Sequence, residues 1–188
     1  MQIKRGKIFS MKKINIKLQS GENMYTKKIY FSGGDYHELQ EVFSDVPGVM
    51  STAVGYIETV DDINSDGVEI VFNPKKMDLS MLMDILFAVV DPYTQKTGVY
   101  YVSGEDEPQV ELHLNFIANR GKQPAVSCVG LTLNDPNSNP KFARKCLARA
   151  SRLKKFTAAD EEQQHYLRKH PEISTDIDLK KLKTYLRF

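Results

Sequence analysis

The residues best placed to do chemistry lie in one short segment, Ser32-Gly33-Gly34-Asp35-Tyr36-His37. A carboxylate directly after a glycine pair, ahead of a periodic apolar run, sits where a helix begins. There Asp35 can accept the free N–H groups of the first turn, a cap worth about 1 kcal/mol. The same carboxylate is a candidate acid, base or metal ligand, as is His37. The two are two positions apart and do not share a helix face, which weakens a site built on that pair alone. Thiol chemistry has two candidates, Cys128 and Cys146, whose spacing makes neither a CxxC redox pair nor a zinc module. Cys128 lies in an apolar stretch that suits a buried, inert thiol, whereas Cys146 has cationic neighbours that favour a thiolate. The third feature is a run of seven Lys and Arg residues between Lys141 and Lys155 with no acid among them. It is a candidate surface for an anionic partner, although a solvated face is the commoner outcome for such a run.

Punctuation and periodicity give the elements that must position these groups. Lys28 to Ser32 reads as a strand ended by Gly33-Gly34, and Tyr36, Leu39, Phe43 and Val46 mark a helix with one buried face. Pro47-Gly48 stops it. Val49 to Ile57 and Val68 to Phe72 read as strands, and Asn73-Pro74 ends the second. Asp78 or Ser80 caps a helix from Leu79 to Val90 that is apolar nearly all round, hence deeply buried. Asp106 to Gly121 is open to two readings: Leu112, Leu114 and Phe116 alternate with polar residues as in a strand, but Pro108 in a first turn, Gly121 as a C-cap and the spacing of Val110, Leu114 and Ile117 favour a helix. Ala125 to Leu133 is expected as a strand, Pro140 to Phe156 as a basic helix, Ala158 to Lys169 as a polar helix, and Asp178 to Arg187 as a last one. This order predicts an α+β domain with helices over a mixed sheet.

Composition mainly excludes. The chain has 188 residues, 26 Lys and Arg against 24 Asp and Glu, and a net charge of +2, too near neutral for a dedicated nucleic-acid binder. No apolar run reaches the roughly 18 residues of a membrane span. Residues 1–23 are basic, with Glu22 their single acid, and contain no apolar core of a secretory signal. They are expected to form a flexible extension to one domain over 24–188. The protein is expected to be a cytoplasmic monomer.

Several ordered pieces resemble the A-type peptide methionine sulfoxide reductases. They are Ser32-Gly33-Gly34-Asp35-Tyr36-His37-Glu38-Leu39-Gln40-Glu41-Val42-Phe43, then Val46-Pro47-Gly48-Val49, Val54-Gly55-Tyr56, and Val68-Glu69-Ile70-Val71-Phe72-Asn73-Pro74. Gly98-Val99-Tyr100-Tyr101-Val102-Ser103 follows, and Phe156, Ala159-Asp160-Glu161, Gln164, Tyr166-Leu167, Lys169 and Pro171 close the match. The resemblance covers Lys27 to about Pro171, with Asn134 to Arg152 as a basic helical insertion. It implies a two-layer α/β roll, ferredoxin-like, with a mixed sheet, packed helices and the active site around the helix after the first strand. It also implies thiol chemistry. A thiolate attacks the sulfoxide sulfur, an acid protonates the oxygen, and thioredoxin or another dithiol reduces the resulting sulfenic acid, with no bound cofactor or metal.

Carried over residue by residue, the resemblance puts Asp35 at the nucleophilic cysteine and Asp66 at the proton-donating glutamate, one methylene shorter. Tyr56 matches one oxyanion-stabilising tyrosine. The second falls on Gln95, or on Tyr101 or Tyr100 in another placement. Gly34, Tyr36, His37 and Tyr101 complete the expected ligand-binding set, with Tyr36-His37 replacing the aromatic pair that cradles the substrate methyl group. Val90 stands at the family's His before Asp-Pro, and Gln163 at the His of its C-terminal motif. A carboxylate cannot take up a sulfoxide oxygen and return it by disulfide exchange. The expectation is therefore a non-catalytic member that keeps a pocket for a sulfoxide- or thioether-type ligand or peptide. Three alternatives stand beside it: a working reductase using another thiol, acid–base or metal chemistry by Asp35, His37 and Asp66, and an interaction module acting through Lys141 to Lys155.

Overall fold

The computed structural model describes residues 25–118 and 145–175. Five strands, β1 (Lys27–Ser32), β2 (Val49–Thr59), β3 (Asn64–Phe72), β4 (Thr97–Tyr101) and β5 (Ala148–Ala158), close a barrel in the order β1-β3-β2-β5-β4. Helices α1 (Tyr36–Ser44), α2 (Leu79–Val89) and α3 (Glu107–Ala118) accompany it, and α4 is the single turn Tyr166–Lys169. The expected ferredoxin-like roll is thus overturned. Without β5 the antiparallel strands would form an open sheet, β4-β1-β3-β2. β5 joins the two edges, antiparallel to β2 and parallel to β4.

β5 was hidden because its apolar spacing imitates a helix. Thr59 pairs with Leu153 but Glu58 pairs with Lys155, so Lys154 is an extra residue in a bulge. The bulge returns Phe156 to the face of Leu153 after three residues rather than two, and both pack with Tyr30, Ile57 and Tyr100. Read without the bulge, Ala150, Leu153 and Phe156 are a helical stripe. The basic residues are divided accordingly: Arg149, Arg152, Lys154 and Lys155 are exposed along a strand, not gathered on one helix face. The polar helix expected from Ala158 shrinks to turns followed by α4. The strand expected at 125–133, the last helix, the N-terminal extension and Cys128 lie outside the described residues.

Two apolar clusters follow from strand alternation. Ile29 and Phe31 of β1, Val68 and Ile70 of β3 and Val99 of β4 turn outward. They pack with Leu39, Val42 and Phe43 of α1 and Leu82, Met83 and Leu86 of α2, all nearly inaccessible to solvent. The Phe31 and Phe43 rings lie 5.2 Å apart, fixing α1 against the barrel. Tyr30, Ile57 and Tyr100 point the other way and fill the interior with Leu153 and Phe156. Tyr100 lies back across Gly98, where a Cβ would collide with its phenol, and its hydroxyl meets Ser32 Oγ at 3.0 Å and Ser65 Oγ at 3.2 Å. The barrel is therefore plugged, and a ligand must be met at its rim.

The N-caps of α1 and α2 stand where the sequence places them, whereas the C-cap expected at Gly121 lies outside the described residues. Asp78 caps α2, accepting from Ser80 N at 2.8 Å. Burial pushes its carboxyl up, but the Ser80 backbone and side chain and Gln109 hold it below the usual carboxylate range. Among the described residues no helix is long and apolar enough to cross a membrane.

Candidate functional site

β1 leaves the barrel through two glycines in the left-handed half of backbone space, Gly33 at φ 135° and Gly34 at φ 60°, which side chains other than glycine adopt only under strain. This turn throws the chain from the barrel onto α1 within three residues and leaves Asp35 as the N-cap at φ −86°, ψ 122°. Asp35 Oδ1 accepts from His37 N at 2.7 Å and, more weakly, from Glu38 N at 3.4 Å. The carboxylate faces the positive end of the helix, and its role as a cap is realised.

Beside it opens a cleft of about 320 Å³ lined by Gly33, Gly34, Asp35, Glu38, Leu39, Val89, Val90, Gln95 and Ser174. Gly34 forms its floor: a Cβ there would stand 3.5 Å from Gln95 Oε1 and 3.6 Å from Val90 Cγ2. The end of α2 supplies Val89 and Val90. The turn after it holds Gln95, whose N–H donates to Asp91 O at 3.0 Å. Gly98 pairs with Ser32, so the chain just before β4 arrives beside the glycine turn.

Of the residues singled out in the sequence, Gly34, Asp35 and Gln95 thus share the cleft. Tyr36, Tyr56 and Asp66 are not among its lining residues. Tyr56 pairs with Asp66 across β2 and β3, and its side chain is exposed. Burial pushes the Tyr36 phenol up, and the Asp66 and Asp35 charges add to the effect. Folding therefore favours the neutral phenol, a contribution present below pH 10 and lost as pH rises through the raised folded value. In Asp66→Asn the Tyr36 ring is expected to ionise at lower pH. A titration of ring-labelled tyrosine by NMR checks this, and an unchanged midpoint would contradict the coupling.

His37 and Tyr101 are held elsewhere. The His37 ring lies between Tyr36, at 4.2 Å, and Tyr166, at 4.8 Å, so it seals α1 against the C-terminal segment instead of lining the cleft. Tyr101 pairs with Ile29, while Gly98 takes the position opposite Ser32, so the register carries Tyr101 away from the glycine turn. Burial and a hydrogen bond to Glu107 raise its phenol. Tyr100 is inside the barrel. Among the described residues no group of three or more His, Cys, Asp or Glu gathers as a metal site. Cys146 is a free, half-buried thiol next to the Pro92 turn, where Leu147 N donates to Pro92 O at 2.7 Å, and it does not line the cleft.

Glu38, Leu39, Val89, Val90 and Ser174 were not anticipated as lining residues. Only Val90 carried a signal, its place at a family histidine. Nor was the support of the site anticipated. Gln164 Oε1 accepts from Val54 N at 2.9 Å and Gln40 Nε2 at 3.1 Å, while its Nε2 donates to Val54 O at 2.9 Å and Ala159 O at 3.0 Å. Gln40 Oε1 accepts from His165 N at 2.7 Å. Arg168 adds ion pairs to Glu41 and Asp45 at 2.8 Å, each worth little because the guanidinium is half exposed.

Comparison with known proteins places this arrangement in context. The family model described as peptide methionine sulfoxide reductase matches residues 27–187. The chain is 26% identical over 157 residues to peptide methionine sulfoxide reductase MsrA 2 of Rhodopirellula baltica, covering 78% of this chain and 87% of the relative. It is 32% identical over 118 residues to the MsrA of Mycoplasma pneumoniae, covering 48% and 75%. Among solved structures, methionine sulfoxide reductase A of Corynebacterium diphtheriae has a similar fold, with a TM-score of 0.61 at 17% identity over 83% of this chain and 80% of that one. Mxr1 from Saccharomyces cerevisiae, solved in complex with Trx2, has a TM-score of 0.52 at 20% identity over 80% and 91%.

Proposed function

This chain belongs to the peptide methionine sulfoxide reductase family, and we propose that it is a non-reducing member, one that receives a methylated-sulfur side chain at the cleft beside α1 and releases it unchanged. The observation that carries this reading is Asp35. The family resemblance puts the nucleophilic thiol there, and a carboxylate occupies it with Oδ1 committed to the His37 N–H. A carboxylate oxygen has no route to a sulfenic acid or a disulfide, so the oxygen-transfer step has no acceptor. The site is nevertheless shaped to admit a ligand. Gly34 leaves the floor open, Leu39, Val89 and Val90 give an apolar wall for a methyl group, and Gln95 brings an amide that can bond a sulfoxide oxygen.

The reading is tested by incubating the purified protein with a peptide containing methionine-(S)-sulfoxide and excess dithiol. No thioether above the protein-free control is expected. Sustained turnover would overturn it, and Cys146→Ser in the same assay tells whether a thiol from β5's approach had substituted for the missing one.

A further inference from the structure

Resting on the reading of the cleft as a ligand site, we propose that Tyr100, which does not line the cleft, is its positioning residue: the phenol hydroxyl fixes the end of β1 from which the cleft floor springs. The ladder between β1 and β3 ends at Phe31 and Val68, so among the described residues Ser32 has a ladder partner only on β4, at Gly98. β3 meanwhile runs on past this point to Asn64, paired with β2. The two strands thus part at Ser32, and the glycine turn begins at the next residue. The Tyr100 hydroxyl bridges the gap. It stands 3.0 Å from Ser32 Oγ and 3.2 Å from Ser65 Oγ of β3, and Ser32 and Tyr100 are 7% and 3% exposed. A phenol has one proton to give, so it donates to one serine and accepts from the other. Gly98 supplies the room, since a Cβ there would stand 2.1 Å from that hydroxyl.

The consequence reaches the cleft through the backbone. Gly33 and Gly34 follow Ser32 directly, hold positive φ angles and have no side chains to anchor them, and Asp35 with the first turn of α1 hangs on them. On one side the turn is packed against Val90, Lys96 and Thr97, whose atoms lie 3.2–3.3 Å from where a Gly33 Cβ would stand. On the β3 side the hydroxyl chain makes the connection. Without the Tyr100 oxygen, Ser32 would keep its ladder with Gly98 and the barrel would stay closed, but the turn would be free to shift relative to β3. A ligand would then have to order its own floor, and affinity would fall by part of what the hydrogen bonds had contributed in advance. A hydrogen bond between neutral groups corresponds to roughly a three- to tenfold change in an equilibrium constant.

The experiment is an NMR titration of the full-length protein with N-acetylmethionine-(S)-sulfoxide methylamide, at a temperature where every variant is folded, beside a thermal melt of each. Tyr100→Phe keeps the ring in the interior and removes the hydroxyl. Ser65→Ala removes the far end of the chain, away from the cleft lining, and keeps the test open if Tyr100→Phe does not fold. Each is expected to weaken binding about three- to tenfold, and the two together no more than Tyr100→Phe alone, because both break one link. Ile57→Val loosens the same interior cluster without breaking a side-chain hydrogen bond. It is expected to lower the melting temperature by about 2–4 °C, as they do, and to leave affinity within about twofold of the parent. Unchanged sulfoxide binding in Tyr100→Phe or Ser65→Ala, additive losses, or an equal loss in Ile57→Val would overturn the proposal while leaving the cleft as a sulfoxide site. No binding by the parent protein would overturn both.

Discussion

Asp35→Cys is expected to gain dithiol-dependent reduction of peptide methionine-(S)-sulfoxide, where the parent protein is expected to show none. The backbone at this position, φ −86° and ψ 122°, suits any L residue, so the thiol would sit where the carboxylate sits now. There it meets the first-turn N–H groups and the positive end of α1, a setting that lowers a cysteine's pKa and raises the thiolate fraction. Losing the carboxylate cap costs about 1 kcal/mol, or roughly 2–4 °C in melting temperature for a chain of this size. The rate is expected to remain modest, because the resemblance puts Asp66, one methylene shorter, at the proton-donating glutamate and, in one of its placements, the Gln95 amide at a tyrosine. Steady-state assay with and without dithiol checks the gain. A variant that binds the sulfoxide and still shows no thioether would place the defect in Asp66, Gln95 and the displaced His37, and would contradict the idea that only the nucleophile is missing.

Gln164→Ala is expected to give the largest loss of stability of any single change around the site. Its amide pairs with both the N–H and the C=O of Val54, as a neighbouring strand would, and with Gln40 and Ala159 as well. Gln40 is 1% exposed, so truncating Gln164 takes the partner from Val54 N and leaves Gln40 Nε2 only a 3.5 Å contact to Thr52 O, while Val54 O keeps its bond from Ala159 N. Each unsatisfied group costs about 1–3 kcal/mol where water cannot replace the partner. Partial hydration at this half-buried position brings the expected total to about 3 kcal/mol, or roughly 6–12 °C in melting temperature. Gln164→Glu keeps the volume and should not rescue it, since an oxygen would replace the Nε2 that donates to two carbonyls. Thermal unfolding followed by circular dichroism measures both. A shift under about 2 °C for Gln164→Ala would mean that the bonds are replaced by water at no cost.

What the sequence revealed about this fold was local. The glycine pair, the Asp35 and Asp78 caps, the stop at Pro47-Gly48 and the helix from Glu107 all depend on a few adjacent residues. Each could be read from residue type and spacing. The barrel could not be read in this way. Its closure depends on one strand whose bulge at Lys154 breaks the twofold alternation and whose cations look like a helix face. The site divides along the same line. Asp35 and Gly34 were readable because the turn that holds them is contiguous. Gln95 came through the resemblance, and only the pairing of Gly98 with Ser32 separates it from Tyr101. His37 is near the site in sequence, yet its ring stacks on Tyr166, 129 positions later, and does not line the cleft. Gln164 gave no sign of its role, because a glutamine that completes a strand edge looks like any other polar residue on a charged segment.

The central claim is the proposal that this protein binds a methionine-sulfoxide side chain and does not reduce it. It is tested most directly in one tube, with a peptide whose methionine-(S)-sulfoxide carries a labelled methyl group, followed by NMR with excess dithiol. The account predicts that the sulfoxide methyl resonance shifts as protein is added, reporting binding, while no thioether methyl signal grows above the protein-free rate. A thioether signal that grows in proportion to protein concentration would contradict it.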